Sequence, residues 1–277
     1  MDKRVKKILI KTKKEVFSSQ LGNNISKLKG DGYDFVELRE YEEGEDIRKI
    51  DWVISAKMNK PYVKVFHVQK QLNINIVALM GGSMHFGTQG FKQDLISQIC
   101  SILAYATIAN QDHFTSYIAN ESVLLNTQRN RSLQGVNSMV ENLMQYDCIG
   151  KRVDYKNIFK QLFNTIYKKS LLFLVGDFLE YSQIDLRILA KKHQVIALIV
   201  RDRFEENPQE IGNISVKDPA TNMGYTFSLD QATINSYKKK IVASDHLLYE
   251  HFKKCGIEFT KIYTDENPII KIMKLFR

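Results

Sequence analysis

Ser83, Asp177 and His246 follow one another in the chain order of a hydrolase triad, and Ser83 stands in a loop reading Gly81-Gly82-Ser83-Met84-His85. Two enzyme chemistries could use such a loop. A serine nucleophile needs a sharp Gly-x-Ser-x-Gly elbow, but His85 takes the place of the second glycine, and residue order without geometry makes no triad. A phosphate cradle needs free N–H groups at a helix start together with a P-loop lysine or GxGxxG spacing, and neither is present.

A second constellation lies upstream, with Gly32-Tyr33-Asp34-Phe35, then Leu38-Arg39-Glu40-Tyr41, then Gly44-Glu45-Asp46, then Arg48-Lys49-Ile50-Asp51-Trp52 and Ser55-Ala56. Arg39 and Arg48 carry planar forks able to hold Glu37, Asp46 or Asp51 in bidentate fashion, and Trp52 could pin the strand-helix corner. A cluster of this kind is first of all a folding determinant. Its second reading is a docking surface, for which Arg39, Tyr41, Arg48, Asp51 and Trp52 are the candidate contacts, beside Ser83, Met84 and His85 of the first loop and Asp177.

The elements that must position these residues fall into two regions. Residues 3–19 place Val5, Ile8, Leu9, Thr12 and Val16 near one face of a 3.6-residue period, which predicts a basic amphipathic helix. Gly30-Asp31-Gly32 breaks that pattern. Residues 33–39 and 62–68 alternate apolar with polar as half-buried strands do, around a helical stretch at 47–58. From residue 72 the texture becomes apolar strands (72–80, 113–119, 171–176, 194–200, 257–263) alternating with helices (89–110, 133–146, 154–168, 183–192, 230–255, 268–275). That alternation predicts an α/β fold, a doubly wound, mainly parallel sheet with helices on both faces, preceded by an N-terminal α+β elaboration. The expected domains are 1–70 and 71–277, the second with a small hairpin insertion near 212–230. In such sheets ligands gather beyond the carboxyl ends of strands where the topology reverses, which selects the loops after Met80 and Gly176.

Composition narrows the classes. The chain has 277 residues, 44% of them hydrophobic, enough for a sizeable core. The longest apolar runs fall far short of the ~20 residues that cross a bilayer. Lys11, Lys13 and Lys14 interrupt the only early apolar run before it could form a signal-peptide core. Three cysteines without CxxC spacing suggest neither a disulfide framework nor a zinc site, so a cytoplasmic protein is expected, with peripheral association at the inner membrane as the membrane variant. The net charge of +9 is unevenly distributed: residues 1–30 hold nine Lys/Arg against two acids, residues 31–51 nine acids against three bases. A basic arm beside an acidic segment can neutralise itself, and few of the lysines have aromatic neighbours, so nucleic acid is not an expected partner.

The second constellation resembles the signature of a bacterial family known as domain of unknown function fifty-eight: Gly, Asp-Phe, Leu-Arg-x-Tyr, a Gly-Asp-like turn, Arg-x-Ile-Asp-Trp and Ser-Ala. Glu45 stands where the family tends to have Asp. Members look like von Willebrand factor A-type domains, which hold Mg²⁺ through an Asp-x-Ser-x-Ser loop, a later Thr and an Asp after a central strand. Matching Ser83-Met84-x-Phe86-Gly87 to the family pattern puts Leu79 at the Asp and Gly81 at the first Ser, and matching Gly150-Lys151-Arg152-Val153-Asp154-Tyr155 to the family's Gly-Thr-Asp-Leu stretch puts Val153 at the Thr. Ser83 and Asp177 remain, too few oxygens for a hard cation such as Mg²⁺, and the single imidazole of His85 is a poor substitute even with a softer ion. The resemblance therefore implies a degenerate metal-ion adhesion site, no Mg²⁺ and no other cofactor. It also implies a partner, since members are associated with MoxR-type AAA+ ATPases in chaperone or assembly systems, some at membranes. The leading expectation is a non-enzymatic interaction module, an adaptor for such an ATPase. A peripheral protein that binds acidic lipid or nucleic acid through its basic N-terminal helix ranks second, and a serine hydrolase third.

Overall fold

The computed structural model describes residues 3–18, 37–65, 73–219 and 223–276. The chain divides into two compact units, residues 26–71 and residues 1–25 with 72–277. The first helix, α1 (Lys3–Ser18), therefore belongs with the larger unit and not, as expected, with the region that ends at residue 70. It packs on α3 (Lys92–Ala109) and buries Val5, Leu9, Thr12 and Val16, the residues its 3.6-residue period puts on one face.

In the smaller unit, β1 (Glu37–Glu40) and β2 (Tyr62–Val65) pair antiparallel with Arg39 opposite Val63, and α2 (Trp52–Met58) lies between them in sequence. The predicted break at Gly30-Asp31-Gly32 and the outer parts of both predicted strands, 33–36 and 66–68, lie outside the described residues.

The larger unit is built on a six-stranded sheet of β3 (Asn73–Leu79), β4 (His113–Ala119), β5 (Val123–Asn130), β6 (Leu171–Gly176), β7 (Gln194–Arg201) and β10 (Glu258–Tyr263), in the order β10-β7-β6-β3-β4-β5. All neighbours are parallel except β5, which runs antiparallel to β4. The central strands are buried on both faces, which is why β6 and β7 are continuous apolar runs without alternation. Val77, Leu79, Leu172, Leu174, Ala197 and Ile199 turn one face toward α5 (Tyr155–Thr165), α6 (Arg187–Lys192) and α8 (Gln231–Lys254). On the opposite face lie α3 and α9 (Pro268–Leu275), where Phe276 meets Phe173 edge-on. α4 (Leu133–Gln145) packs on α3, so α3 is enclosed nearly all round.

The doubly wound, mostly parallel sheet agrees with the alternation in the sequence, and the hairpin of β8 (Gly212–Lys217) and β9 (Gly224–Leu229) falls where the insertion is expected. β5 is absent from the predicted elements. It is an edge strand on which Leu124 and Leu125 stay exposed, so the segment lacks the burial pattern that sequence periodicity reports. A four-residue helix, α7 (Arg203–Glu206), is likewise too short to show a period. Cys100 and Cys148 are buried free thiols and Cys255 is a half-buried one. Among the described residues, no helix is long and apolar enough to cross a membrane.

Candidate functional site

The sheet order reverses between β3 and β6: the chain leaves β3 toward α3 on one face and leaves β6 toward α6 on the other. The loops that part there form the crevice that doubly wound sheets use for ligands. After β3, Gly81 leads into a 3-10 turn over Gly82–His85, tied to the neighbouring loop by Gly82 N–H donating to the Lys151 carbonyl at 2.9 Å. After β6 comes Asp177, 3% exposed, followed by Phe178 with φ +51, a left-handed backbone that costs a bulky residue about 1–2 kcal/mol. The Phe178 ring is buried against Tyr155 and Phe252, and that packing holds the turn which aims Asp177 at the crevice. Ser83 Oγ donates to Asp177 Oδ2 at 2.6 Å across 94 positions of sequence.

The same carboxylate oxygen accepts from Lys92 Nζ at 3.2 Å, and Lys92 also donates to Glu205 Oε1 at 2.5 Å. The Lys92 side chain is 0% exposed. Behind it, Arg201, also buried, binds Asp245 at 2.9 Å, and Lys261 bridges Asp245 and Glu206 at 2.6 Å each. Asp202 caps α7 by accepting from Phe204 N–H, and it collects Thr88 N–H, Thr88 Oγ1 and Thr264 Oγ1. Burial works against the Asp177 charge, but Lys92, Arg201 and the Ser83 hydroxyl outweigh it and hold the carboxyl below its ordinary range. For Glu205 burial wins over Lys92 and pushes the carboxyl up.

Sequence reasoning picked out Ser83 and Asp177, which do meet, and missed the residues that hold them. Lys92 offered a signal. It stands in phase with Ile96, Ile99 and Leu103 on α3, so the apolar period that buries those residues buries the lysine too. The segment that follows β7 supplies Glu205, the second carboxylate on Lys92. No such pattern joins Ser83 and Asp177 to His246, which is exposed on α8 and hydrogen-bonded to neither.

The positions that would carry a Mg²⁺ site do not fit one. Leu79 is fully buried, and its side chain lies so close to Gly176 that a Cβ there would come within 2.7 Å of Leu79 Cβ. Gly81 faces Val153, whose Cγ2 would be 2.8 Å from any Cβ at position 81. Apolar contact thus takes the place of three oxygen ligands. Among the described residues, no group of three or more His, Cys, Asp or Glu could hold a metal ion. The crevice opens outward as a hollow of roughly 260 Å³ bounded by Ser83, Lys151, Arg152, Asp177, Glu180 and Asp218.

The remaining candidate contacts separate by exposure. Met84 is 0% exposed, a core residue beyond any partner's reach, while His85 stacks on Phe91 at 5.3 Å between ring centres. In the smaller unit the signature residues make local bonds. Asp51 caps α2 by accepting from Val53 and Ile54 N–H, and Ser55 Oγ accepts from Tyr62 N–H at 2.8 Å. Arg39 pairs with Glu45, whose carbonyl accepts from Tyr41 OH at 3.1 Å. Arg48 forks onto Asp46, with Nε–Oδ1 at 3.0 Å and Nη2–Oδ2 at 2.9 Å. Trp52 pins no corner: it is 65% exposed, as are Val53 at 69% and Ile47 at 60% in the same stretch of sequence.

The family described as protein of unknown function DUF58 matches residues 37–246. The chain belongs to this family. Its relatives include uncharacterized proteins of Mycobacterium bovis and Mycobacterium tuberculosis, 22% identical over 260 residues that span 91% of this chain and 81% of theirs. Among solved structures, the conserved hypothetical protein BatB from Bacteroides thetaiotaomicron is similar at 12% identity and a TM-score of 0.44, over 74% of this chain and 96% of that one. An aerotolerance-related membrane protein from Bacteroides fragilis is similar at 12% identity and a TM-score of 0.39, over 66% and 99%.

Proposed function

We propose that this DUF58 chain is a non-enzymatic docking module, a von Willebrand factor A-like domain that works as the adaptor of a MoxR-type AAA+ ATPase. The observation that carries the reading is the inward commitment of the crevice: the Ser83 hydroxyl is given to Asp177 and the Asp177 carboxylate to Lys92, which leaves neither an activated nucleophile nor an open metal position. What faces solvent is a charged rim around the hollow and, on the smaller unit, the exposed Trp52, a residue type that dominates binding energy at protein interfaces. The strand order, six strands with one antiparallel edge and the crevice at the reversal, supports the von Willebrand factor A-like assignment. The ATPase follows from the family resemblance. A cytoplasmic location, with docking at the inner face of a membrane when the partner is there, belongs to the same proposal.

Tagged protein captured from its own cells should bring down an AAA+ ATPase, identified by mass spectrometry. Trp52→Ala, which removes an exposed ring and should leave folding intact, should weaken that recovery by about 30-fold, equivalent to roughly 2 kcal/mol. Wild type that recovers no AAA+ ATPase would remove the adaptor reading.

A second reading rests on α1. With Val5, Leu9, Thr12 and Val16 committed to the body, the outward face presents Arg4, Lys6, Lys7, Lys11, Lys13 and Lys14. Arg4 is paired with Asp94 at 2.5 Å, which leaves the lysines as the outward charge. A helix held this way cannot insert its apolar face into lipid and would meet an acidic surface by charge alone, at about 1 kcal/mol per lysine. Co-sedimentation with phosphatidylserine vesicles should then be strong at low salt, vanish at high salt, and fall at least tenfold in Lys6→Glu/Lys7→Glu/Lys13→Glu. Binding that ignores salt, or survives the triple variant, counts against it.

A further inference from the structure

We propose that the Lys92 ammonium is the resident cation of the crevice, a tethered charge that holds Ser83, Asp177 and Glu205 together, and that removing it turns the site into one that takes a free cation. The inference concerns the closed interior and stands whatever partner docks outside.

Three observations carry it. Lys92 is fully buried, which is exceptional for a lysine and is tolerated only where charge and hydrogen bonds compensate. Its ammonium touches two carboxylates from different strand ends, Asp177 after β6 at 3.2 Å and Glu205 in α7 after β7 at 2.5 Å, so one cation closes a gap that two anions would otherwise force open. The oxygen that Lys92 meets on Asp177 is also the one that accepts from Ser83, so the hydroxyl, the carboxylate and the ammonium converge on one spot. Nearby, Leu79, Gly81 and Val153 offer no side-chain oxygen, so the tethered ammonium is the cation suited to what the crevice supplies. Two carboxylate oxygens and a hydroxyl are also the donors a hard divalent ion accepts, and the ammonium stands between them.

Lys92→Ala should leave a cavity bounded by two anions. Its melting temperature should fall by roughly 10 °C relative to wild type. Millimolar Mn²⁺, or methylammonium as a detached copy of the missing group, should restore part of the loss. Sodium chloride at equal ionic strength should not, and the further substitution Asp177→Asn should abolish the recovery. Wild type should show no change in melting temperature with Mn²⁺. In parallel, wild-type protein labelled with ¹⁵N-lysine should give an ammonium resonance in slow exchange with water that disappears in Lys92→Arg and does not move when Mg²⁺ is added. A Lys92→Ala protein that melts with wild type, or that melts early and recovers with neither cation, overturns the proposal. So does an ammonium signal that is absent or shifts with Mg²⁺, and this second measurement decides the matter if Lys92→Ala does not fold.

Discussion

Arg201→Leu is expected to destabilise the protein by about 3–5 kcal/mol, read as a lower urea midpoint with an unchanged slope. Arg201 ends β7 with its side chain 1% exposed and binds Asp245 at 2.9 Å, with Glu206 at 3.6 Å from Nε. Burial opposes its charge, yet the neighbouring Asp177, Asp245 and Glu205 hold its proton more firmly than usual. Leucine fills much of the volume but removes one of the three cations, Arg201, Lys92 and Lys261, that face those carboxylates. A buried pair deprived of one partner costs far more than the pair contributed, because the remaining charge stays desolvated. Arg203→Leu is the matched control. That side chain is 56% exposed and pairs with Asp265 and Glu266 in water, where such pairs are worth about 1 kcal/mol or less. Equal losses in the two variants would mean that the network behind the crevice does not behave as a desolvated unit.

Gly87→Ala is expected to be nearly as damaging, about 3 kcal/mol. A Cβ at position 87 would lie 1.8 Å from the Gly90 carbonyl oxygen and 2.8 Å from its carbon. Both are backbone atoms, so no side-chain rotation relieves the clash and the loop itself must move. That loop carries Thr88, whose N–H and hydroxyl donate to Asp202, and it runs into Phe91 and Lys92 at the start of α3. Overpacking of this kind costs about 1–3 kcal/mol, and bonds to a charged acceptor add about 1.5–3 kcal/mol when lost. Gly90→Ala tests the explanation. Nothing lies within 4 Å of a Cβ there, so the change should stay within about 0.5 kcal/mol. If both alanines proved equally mild in urea denaturation, close backbone approach would not be the reason for Gly87.

The two glycine positions also show how a motif differs from an explanation. Ser83-Met84-x-Phe86-Gly87 is readable as a pattern, but its physical content is spread over the tertiary structure: Ser83 serves Asp177, Met84 fills the core, and Gly87 makes room for Gly90. Asp51, Trp52 and Ser55 divide similarly. Asp51 bonds Val53 and Ile54 N–H at the α2 start, as an acidic N-cap before a helix leads one to expect, while Ser55 reaches Tyr62 of β2 seven positions on. Trp52 points into solvent, and nothing in its local sequence announced that.

Local periodicity determined much of this protein in advance. The apolar runs of β6 and β7, the one-sided face of α1 and the alternation of strand with helix each follow from what a segment must bury, and they lead to a doubly wound sheet without knowledge of any contact. The same reasoning selected the two loops at the strand reversal, and the motif and the family resemblance picked out Ser83 and Asp177 within them. Tertiary structure alone decided the rest. Lys92 meets Glu205 across 113 positions and Arg201 meets Asp245 across 44, and a charged residue in a sequence carries no mark of the partner that makes its burial tolerable. Phe178 adopts a left-handed backbone only because Tyr155 and Phe252 pack its ring. Burial is legible from neighbours in sequence because apolar residues repeat with the geometry of their own helix or strand. Charge pairing is not, because compensation is required in space and any segment that passes nearby can supply it.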